Sequence, residues 1–400
     1  MGERRVAVRV TPDALRQVRG GHPWVFDRSV TSVSHDGAPG DLAVVFDGSR
    51  RFVAIGLYDP TSPIRVRVLH HGAPATIDDG WWRDRLRIAF AHRRALGDDG
   101  RTNAYRLVHG ENDGFPGLVV DRYDATLVVK AYSTAWLAHM RAVVGALDEL
   151  ASPDRVVLRL GRAARIGAPH LDGVALVGEL PAEPVPFLEH GLSFEADVVH
   201  GQKTGHFLDQ RDNRARVGRL SRDKRVLDVF ACTGGFSVHA AAGGAVAVTS
   251  VDQSAPALAT ARRNMVRNVD RPAVRACHHD TVTGDAFDVL EGLVRRGERF
   301  DVVVVDPPSF ASRRASVPAA LHAYGRLAGL AVRVTEHGGV VVQMSCSSRI
   351  SAEELETSVQ RAARGAGRPL DVFERTGQPL DHPIGFPEGA YLKAVYAHVR

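Results

Sequence analysis

Short alternating runs fill the first seventy residues. VAVRV, DLAVVFDG, RFVAIGLYD and IRVRVL are each bounded by Gly, Pro or Asp. Alternation with a period of two predicts half-buried strands, and hence a small β-rich domain over 1–72. Within IRVRVL, Ile64, Val66 and Val68 fall on one face and Arg65 and Arg67 on the other, so a basic outer face is expected. GAPATIDDG reads as a linker, after which Trp82, Leu86, Ala89 and Phe90 recur at helical spacing. Turn-rich strands around YRLVHGENDGFPGLVVDRY, a helix over about 134–150, and strands in VVLRL and VALVGEL complete an α+β unit, 80–184. The proline-rich LPAEPVPF closes it, because proline resists helix interiors and central strands. From 187 to 400 the apolar runs RVLDVFAC, VAVTSVD, FDVVVVDPP and GVVVQMSC alternate with the helical segments DQRDNRARVGRL, APALATARRNMVRN and VPAALHAYGRLAGLAVRV. That rhythm predicts a doubly wound, mainly parallel sheet whose ligands sit at the carboxyl ends of its strands.

Four hundred residues exceed one ordinary core, in keeping with a multidomain chain. Lys and Arg number 51 against 46 Asp and Glu, a net charge of +5 that weakly favours acidic partners such as nucleic acid. Lysine occurs only at Lys130, Lys203, Lys224 and Lys393, and the arginine excess is equally what a GC-rich genome produces. Cys232, Cys277 and Cys346 have neither disulfide nor zinc spacing, so no metal is expected and a reducing compartment fits. MGERRVAVRV lacks the apolar stretch of a signal peptide and no run is long enough to span a bilayer, which points to a cytoplasmic protein with no membrane partner. The oligomeric state is left open, a homodimer included.

The chemistry gathers in the last part. VLDVFACTGGFSVHA is a strand, a glycine turn and a helix start, which lets the backbone approach a ligand and offers helix amides to it. About twenty residues on, Asp252 closes VTSVD, where a carboxylate can take both ribose hydroxyls. The turn reads D-x-F-x-x-x-G-G over Asp228, Phe230, Gly234 and Gly235 and lacks the G-x-G-x-x-G spacing of a pyrophosphate cradle, which favours S-adenosylmethionine over NAD. Asp285 is the candidate acceptor for the adenine amino group, with Asp280 its rival. In FDVVVVDPPSF, Asp306 follows four valines, and Pro307 and Pro308 stiffen a loop suited to a planar base, on which Phe310 can stack unless it packs in the core. Gln210, Arg211 and Asn213 open a helix from which they can reach cofactor or RNA backbone, and Lys203 and Lys393 are candidate phosphate contacts. Cys346, at the end of VVVQMSC, is either a packed thiol or a nucleophile over the cleft.

HPWVF, YRLVHGENDGFPGLVVDRY, GQKTGHFLDQRDNR, DVFACTGGFSVHA, DPPSF, SCSS and DHPIGFPEGAYLK occur in this order. Together they resemble the bacterial class I methyltransferases that modify cytosine C5 in 23S ribosomal RNA. The resemblance implies a β-barrel-like PUA domain that binds RNA, a middle α+β domain and a Rossmann-like methyltransferase domain using S-adenosylmethionine, with Cys346 as the nucleophile. Thiolate addition at C6 would activate C5, and Asp306 would stabilise charge gathering at N3. Ser309 stands where family members commonly carry lysine, Cys232 occupies a loop position usually filled otherwise, and the D-P-P loop holds no second cysteine. Two other readings follow from the same residues: N-methylation of an RNA base by the D-P-P loop, and a non-catalytic RNA-binding assembly factor.

Overall fold

The computed structural model describes residues 5–311 and 313–400, which divide into two compact units. The first comprises the described residues up to Phe187 together with Ala196–His206 and Leu380–Gly389. It opens with β1 (Arg5–Val10), α1 (Pro12–Arg19), β2 (Trp24–Phe26), β3 (Val30–Val33), β4 (Leu42–Phe46), β5 (Phe52–Tyr58) and β6 (Ile64–His71). Among the described residues these strands form a six-stranded sheet in the order β2-β6-β5-β4-β1-β3, parallel only between β1 and β4. The basic outer face expected of IRVRVL is absent. β6 is paired on both sides, Arg67 is buried, and Asp59 and Glu111 act on it.

Next come α2 (Asp79–Ala91), α3 (Arg94–Gly97), β7 (Ala104–His109), β8 (Leu118–Tyr123), β9 (Thr126–Ala131), α4 (Met140–Ala151), β10 (Arg155–Leu160), α5 (Arg162–Gly167) and β11 (Val174–Val177). The strands form a second sheet, β11-β10-β9-β8-β7, parallel only between β9 and β10. The helix expected over 134–150 is a 3-10 turn, Thr134–His139, that runs into α4. Leu42, Ile55, Leu57 and Leu69 of the first sheet share one core with Trp82, Phe115 and Trp136, whose rings lie 5.4–6.0 Å apart. That shared core explains why two domains drawn from the sequence form one compact unit. Truncating a buried Trp such as Trp82 to Ala typically costs about 3–5 kcal/mol.

A two-stranded sheet of β12 (Val185–Glu189) and β13 (Leu192–Ala196) follows. The second unit, Leu188–Glu195, Phe207–Pro379 and Ala390–Arg400, contains α6 (Arg211–Leu220), β14 (Arg225–Val229), α7 (Gly235–Ala242), β15 (Ala247–Asp252), α8 (Ala255–Val266), α9 (Pro272–Ala276) and β16 (His278–Thr283). It continues with α10 (Ala286–Arg296), β17 (Phe300–Val305), α11 (Val317–Arg333), β18 (Thr335–Ser345), α12 (Ala352–Gly365), β19 (Leu370–Thr376) and β20 (Lys393–Val399). Among the described residues the sheet has seven strands, β16-β15-β14-β17-β18-β20-β19, parallel as far as β18 and antiparallel at β18/β20 and β20/β19.

Three of these strands escape the sequence pattern. β16 and β19 are edges, so HHDTVT and LDVFERT carry polar residues, and β20 returns antiparallel, outside the strand–helix rhythm. Val302–Val305 are buried, each side chain contributing about 1.5–3 kcal/mol on full burial. Their burial fixes Asp306 as the first residue beyond the core. The strand order reverses between β14 and β17, the place where a parallel α/β sheet opens a crevice at its carboxyl edge. No helix among the described residues is long and apolar enough to cross a membrane.

Candidate active site

The loop from β14 into α7 is bent by three left-handed residues, Phe230 (φ 67°), Cys232 (φ 48°) and Gly234 (φ 76°). Such strain in non-glycine residues costs of order 1 kcal/mol or more each and is concentrated where ligands are held. At Gly234 a Cβ would lie 2.7 Å from that of Ala261, so glycine also allows α8 to pack close, and Gly235 opens α7. Asp252, the last residue of β15, accepts from Cys232 N at 2.9 Å through Oδ2 and from Ser254 N at 2.8 Å through Oδ1. Its carboxylate is thereby fixed in orientation, with lone pairs left on both oxygens for a vicinal diol.

Asp285 follows β16 and caps α10, its Oδ1 accepting from Phe287 N at 2.9 Å, which leaves Oδ2 for an adenine amino group. Asp280 lies in mid-strand beside His278, away from the carboxyl end. An acid at the end of β15, another just past β16 and a glycine turn after β14 suit the ribose and adenine of S-adenosylmethionine.

Asp228 departs from its expected cofactor contact. It is fully buried, its Oδ2 accepts from Ser237 N (3.1 Å) and Ser237 Oγ (2.6 Å), and the Ser237 hydroxyl continues to Ser250 and His279. Asp228 Oδ1 is buried without a hydrogen-bond partner. Burial pushes the carboxyl up to about 6 against the pull of Ser237, and the nearby Asp252 adds to the rise. Asp228 therefore braces the start of α7 against the sheet.

The D-P-P loop and the cysteine lie at the same edge of the sheet. Asp306 is half-buried and its N–H still donates to Val229 O at 3.3 Å, while Pro307 is buried and Pro308 exposed. Val305 pairs with Gln343, so Asp306, just beyond β17, and Cys346, just beyond β18, leave neighbouring parallel strands within two residues of one level. Behind them stands Tyr324 of α11, fully buried, its oxygen accepting from Ser345 Oγ at 2.9 Å. Burial raises its phenol pKa against the Ser345 bond, and the Cys346 and Asp306 charges act in the same direction as burial, so both lie within its electrostatic reach. Phe310 is half-buried with its ring 5.0 Å from that of Tyr324, so the expected stacking ring is largely committed to the core. Burial pushes the Cys232 thiol up to about 11, reinforced by Asp252, and burial does the same to Cys277, which makes both poor nucleophiles.

Three expected contacts lie in the interior instead. Gln210 is buried, its Oε1 accepting from Asn213 at 2.6 Å and its Nε2 directed at Met344 Sδ, so it supports β18. Arg211 is 1 % exposed beside Asp212 and presents no cation to a backbone phosphate. Lys393 is 9 % exposed, opposite Ser345, and donates to the carbonyls of Ser347 and, at 3.0 Å, Tyr391.

Lys203, by contrast, is half-exposed in the first unit. It has φ 53°, and its carbonyl accepts from Lys130 Nζ at 2.7 Å. Lys130 Nζ lies 5.8 Å from the ring centroid of Tyr132, which is 47 % exposed. A Cβ at Gly161 would come within 2.9 Å of that ring, so glycine lets it lie against the backbone. Sequence reasoning missed Tyr132, Tyr324, Ser237 and the place of Lys393. Only Lys393 left a signal, a lysine opening an apolar strand in a lysine-poor chain.

An S-adenosylmethionine-dependent methyltransferase family matches residues 105–396, and a PUA-like domain matches residues 8–71. The chain belongs to the S-adenosylmethionine-dependent methyltransferases. It is 47 % identical over 399 residues to a protein of Deinococcus radiodurans named "Ribosomal RNA large subunit methyltransferase", covering 98 % of this chain and 97 % of that one. It is 35 % identical to the "Ribosomal RNA large subunit methyltransferase I" of Escherichia coli strain SMS-3-5, covering 94 % and 95 %. In fold it is similar to a solved methyltransferase of Streptococcus mutans, with a TM-score of 0.83 at 20 % identity over 98 % of this chain and 100 % of that one. A second solved methyltransferase, again at 0.83 and 20 %, covers 99 % and 100 % and is complexed with SAH. This methyltransferase therefore uses S-adenosylmethionine, and its N-terminal sheet is PUA-like.

Proposed function

We propose that this methyltransferase modifies C5 of a cytosine in large-subunit ribosomal RNA through a covalent adduct on Cys346. The carrying observation is the emergence of Cys346 and Asp306 at one edge of adjacent parallel strands, with Tyr324 within electrostatic reach of both. Cytosine C5 is a weak nucleophile, and S-adenosylmethionine supplies the electrophilic methyl group. Addition of the Cys346 thiolate to C6 makes a C–S bond and moves the C5–C6 electron pair toward C5, while Asp306, in its acid form, donates its proton to N3 and takes it back when the adduct collapses. After transfer the C5 proton leaves to a base and the C–S bond breaks, restoring the ring and the thiolate. Asp252 and Asp285 hold the ribose and adenine, Asp228 braces α7 beside the glycine turn, and Gln210 supports β18 beneath Cys346.

The names of the relatives support ribosomal RNA as substrate, and the PUA-like sheet supports RNA binding. Lys203, Lys130 and the exposed Tyr132 ring join cations to a stacking face, the combination that single-stranded RNA favours. The test is methylation of ribosomal RNA from a deletion strain, with the product nucleoside identified by mass spectrometry. The expected product is 5-methylcytidine, lost with Cys346→Ala. An N-methylated base formed equally by Cys346→Ala would transfer the assignment to N-methylation by the D-P-P loop.

A further inference from the structure

Lys393 touches the backbone on both sides of Cys346. Its strand pairs it with Ser345, the residue before Cys346, and its ammonium donates to the carbonyl of Ser347, the residue after. A second donor goes to Tyr391 O, and the side chain is 9 % exposed. Two neutral carbonyls give a buried ammonium no counter-charge, a costly state unless an anion stands close. Two groups act on it as anions, Cys346 and then Glu354 of α12. Glu354 is already engaged at the helix start, its carboxylate accepting from Ser351 N at 2.8 Å. Tyr324 of α11 and Asp306 beyond β17 also act at this corner, and neither brings a cation. Composition agrees with a special role. In a chain whose cations are almost all arginine, lysine persists here, and an ammonium can exchange a proton near neutrality whereas a guanidinium does not.

We propose that Lys393 is the positioning residue that holds Cys346 as a thiolate. The two groups share one proton, and it resides on nitrogen: the S–H bond is broken, an N–H bond is made, and an ammonium–thiolate pair is left facing the cleft. The pair rests on the reading of Cys346 as nucleophile and adds how the sulfur comes to be ionised before substrate arrives. Burial depresses the Lys393 pKa to about 8 and the Cys346 charge draws it back up, as expected for groups that stabilise each other's charged forms.

The experiment is peptide-resolved alkylation of the full chain with iodoacetamide, following the Cys346 peptide by mass spectrometry from pH 5.5 to 10. In the unmodified protein the Cys346 midpoint is expected at least one unit below the roughly 8.5 of an ordinary thiol. A midpoint at or above 8.5 overturns the pair without any variant. Lys393→Met should raise the midpoint by a unit or more, so that alkylation at pH 7 falls about tenfold, while Lys393→Arg should restore most of it by supplying a permanent cation. An unmoved midpoint in a folded Lys393→Met that binds S-adenosylmethionine would show that Lys393 is merely structural. A low midpoint in a protein that forms no adduct with RNA would retain the pair and refute the nucleophile reading instead, so the two failures are distinguishable.

Discussion

Asp228→Asn should remove a loss of stability that the unmodified protein undergoes as pH rises from 5 to 8. The carboxyl is fully buried, held by Ser237 through one oxygen, and raised from its ordinary 3.8 to about 6, chiefly by burial. A shift of about two units corresponds to about 3 kcal/mol at about 1.4 kcal/mol per unit. The folded chain binds this proton more tightly than the unfolded chain, so the stabilisation is complete below pH 3.8 and is lost as pH rises through 6. Between pH 5 and pH 8 the loss is about 1.4 kcal/mol. Asparagine keeps an acceptor for Ser237 and does not titrate, so the variant escapes it. At about 2–4 °C per kcal/mol for a unit of this size, the melting temperature of the variant relative to the unmodified protein should rise by about 3–6 °C from pH 5 to pH 8. Calorimetric melting of both proteins across that range measures it. A constant difference would mean that Asp228 does not titrate in the fold between pH 5 and pH 8, and the account of it as a buried, partly protonated brace would be wrong.

Asp252→Ala should weaken S-adenosylmethionine binding by about 1.5–3 kcal/mol, the scale of hydrogen bonds to a charged group, and unchanged calorimetric affinity in a folded variant would remove it from the ribose site. Asp306→Asn should slow methyl transfer by about a hundredfold or more with little change in cofactor affinity; equal losses in both would argue for a binding role. Tyr132→Ala should weaken binding to single-stranded ribosomal RNA fragments by about 1–3 kcal/mol, and Lys203→Ala should flatten the salt dependence of that binding; intact affinity and slope would move the RNA path elsewhere.

The parts of this protein that were legible in its sequence are those where local pattern and three-dimensional role coincide. Four valines before Asp306, and the apolar run before Cys346, read as strands because they are buried on both faces, and the residue at the end of a buried strand is delivered to the sheet edge. The turn at Gly234 was legible because only a few residue types accept its backbone angles. What escaped depends on pairing between distant segments. Nothing local to IRVRVL says that Arg67 will be covered on β6, nor does the helix start at Arg211 reveal that its first turn faces inward. The antiparallel return of β20 was invisible as a rhythm, and with it the placement of Lys393 beside Cys346. Phe310 stayed open between stacking on a base and packing in the core because its partner, Tyr324, lies fourteen residues away on a helix face.

The central claim is that Cys346 adds to a cytosine. It is tested most directly by incubating the enzyme and S-adenosylmethionine with ribosomal RNA carrying 5-fluorocytidine, then resolving the mixture on a denaturing gel. Fluorine at C5 cannot leave as a proton, so the methylated adduct persists; the predicted result is a slowed protein band whose cross-linked peptide contains Cys346, absent from Cys346→Ala and unaffected by Cys232→Ala or Cys277→Ala. Full methylation by Cys346→Ala, or a cross-link at another cysteine, would contradict the account.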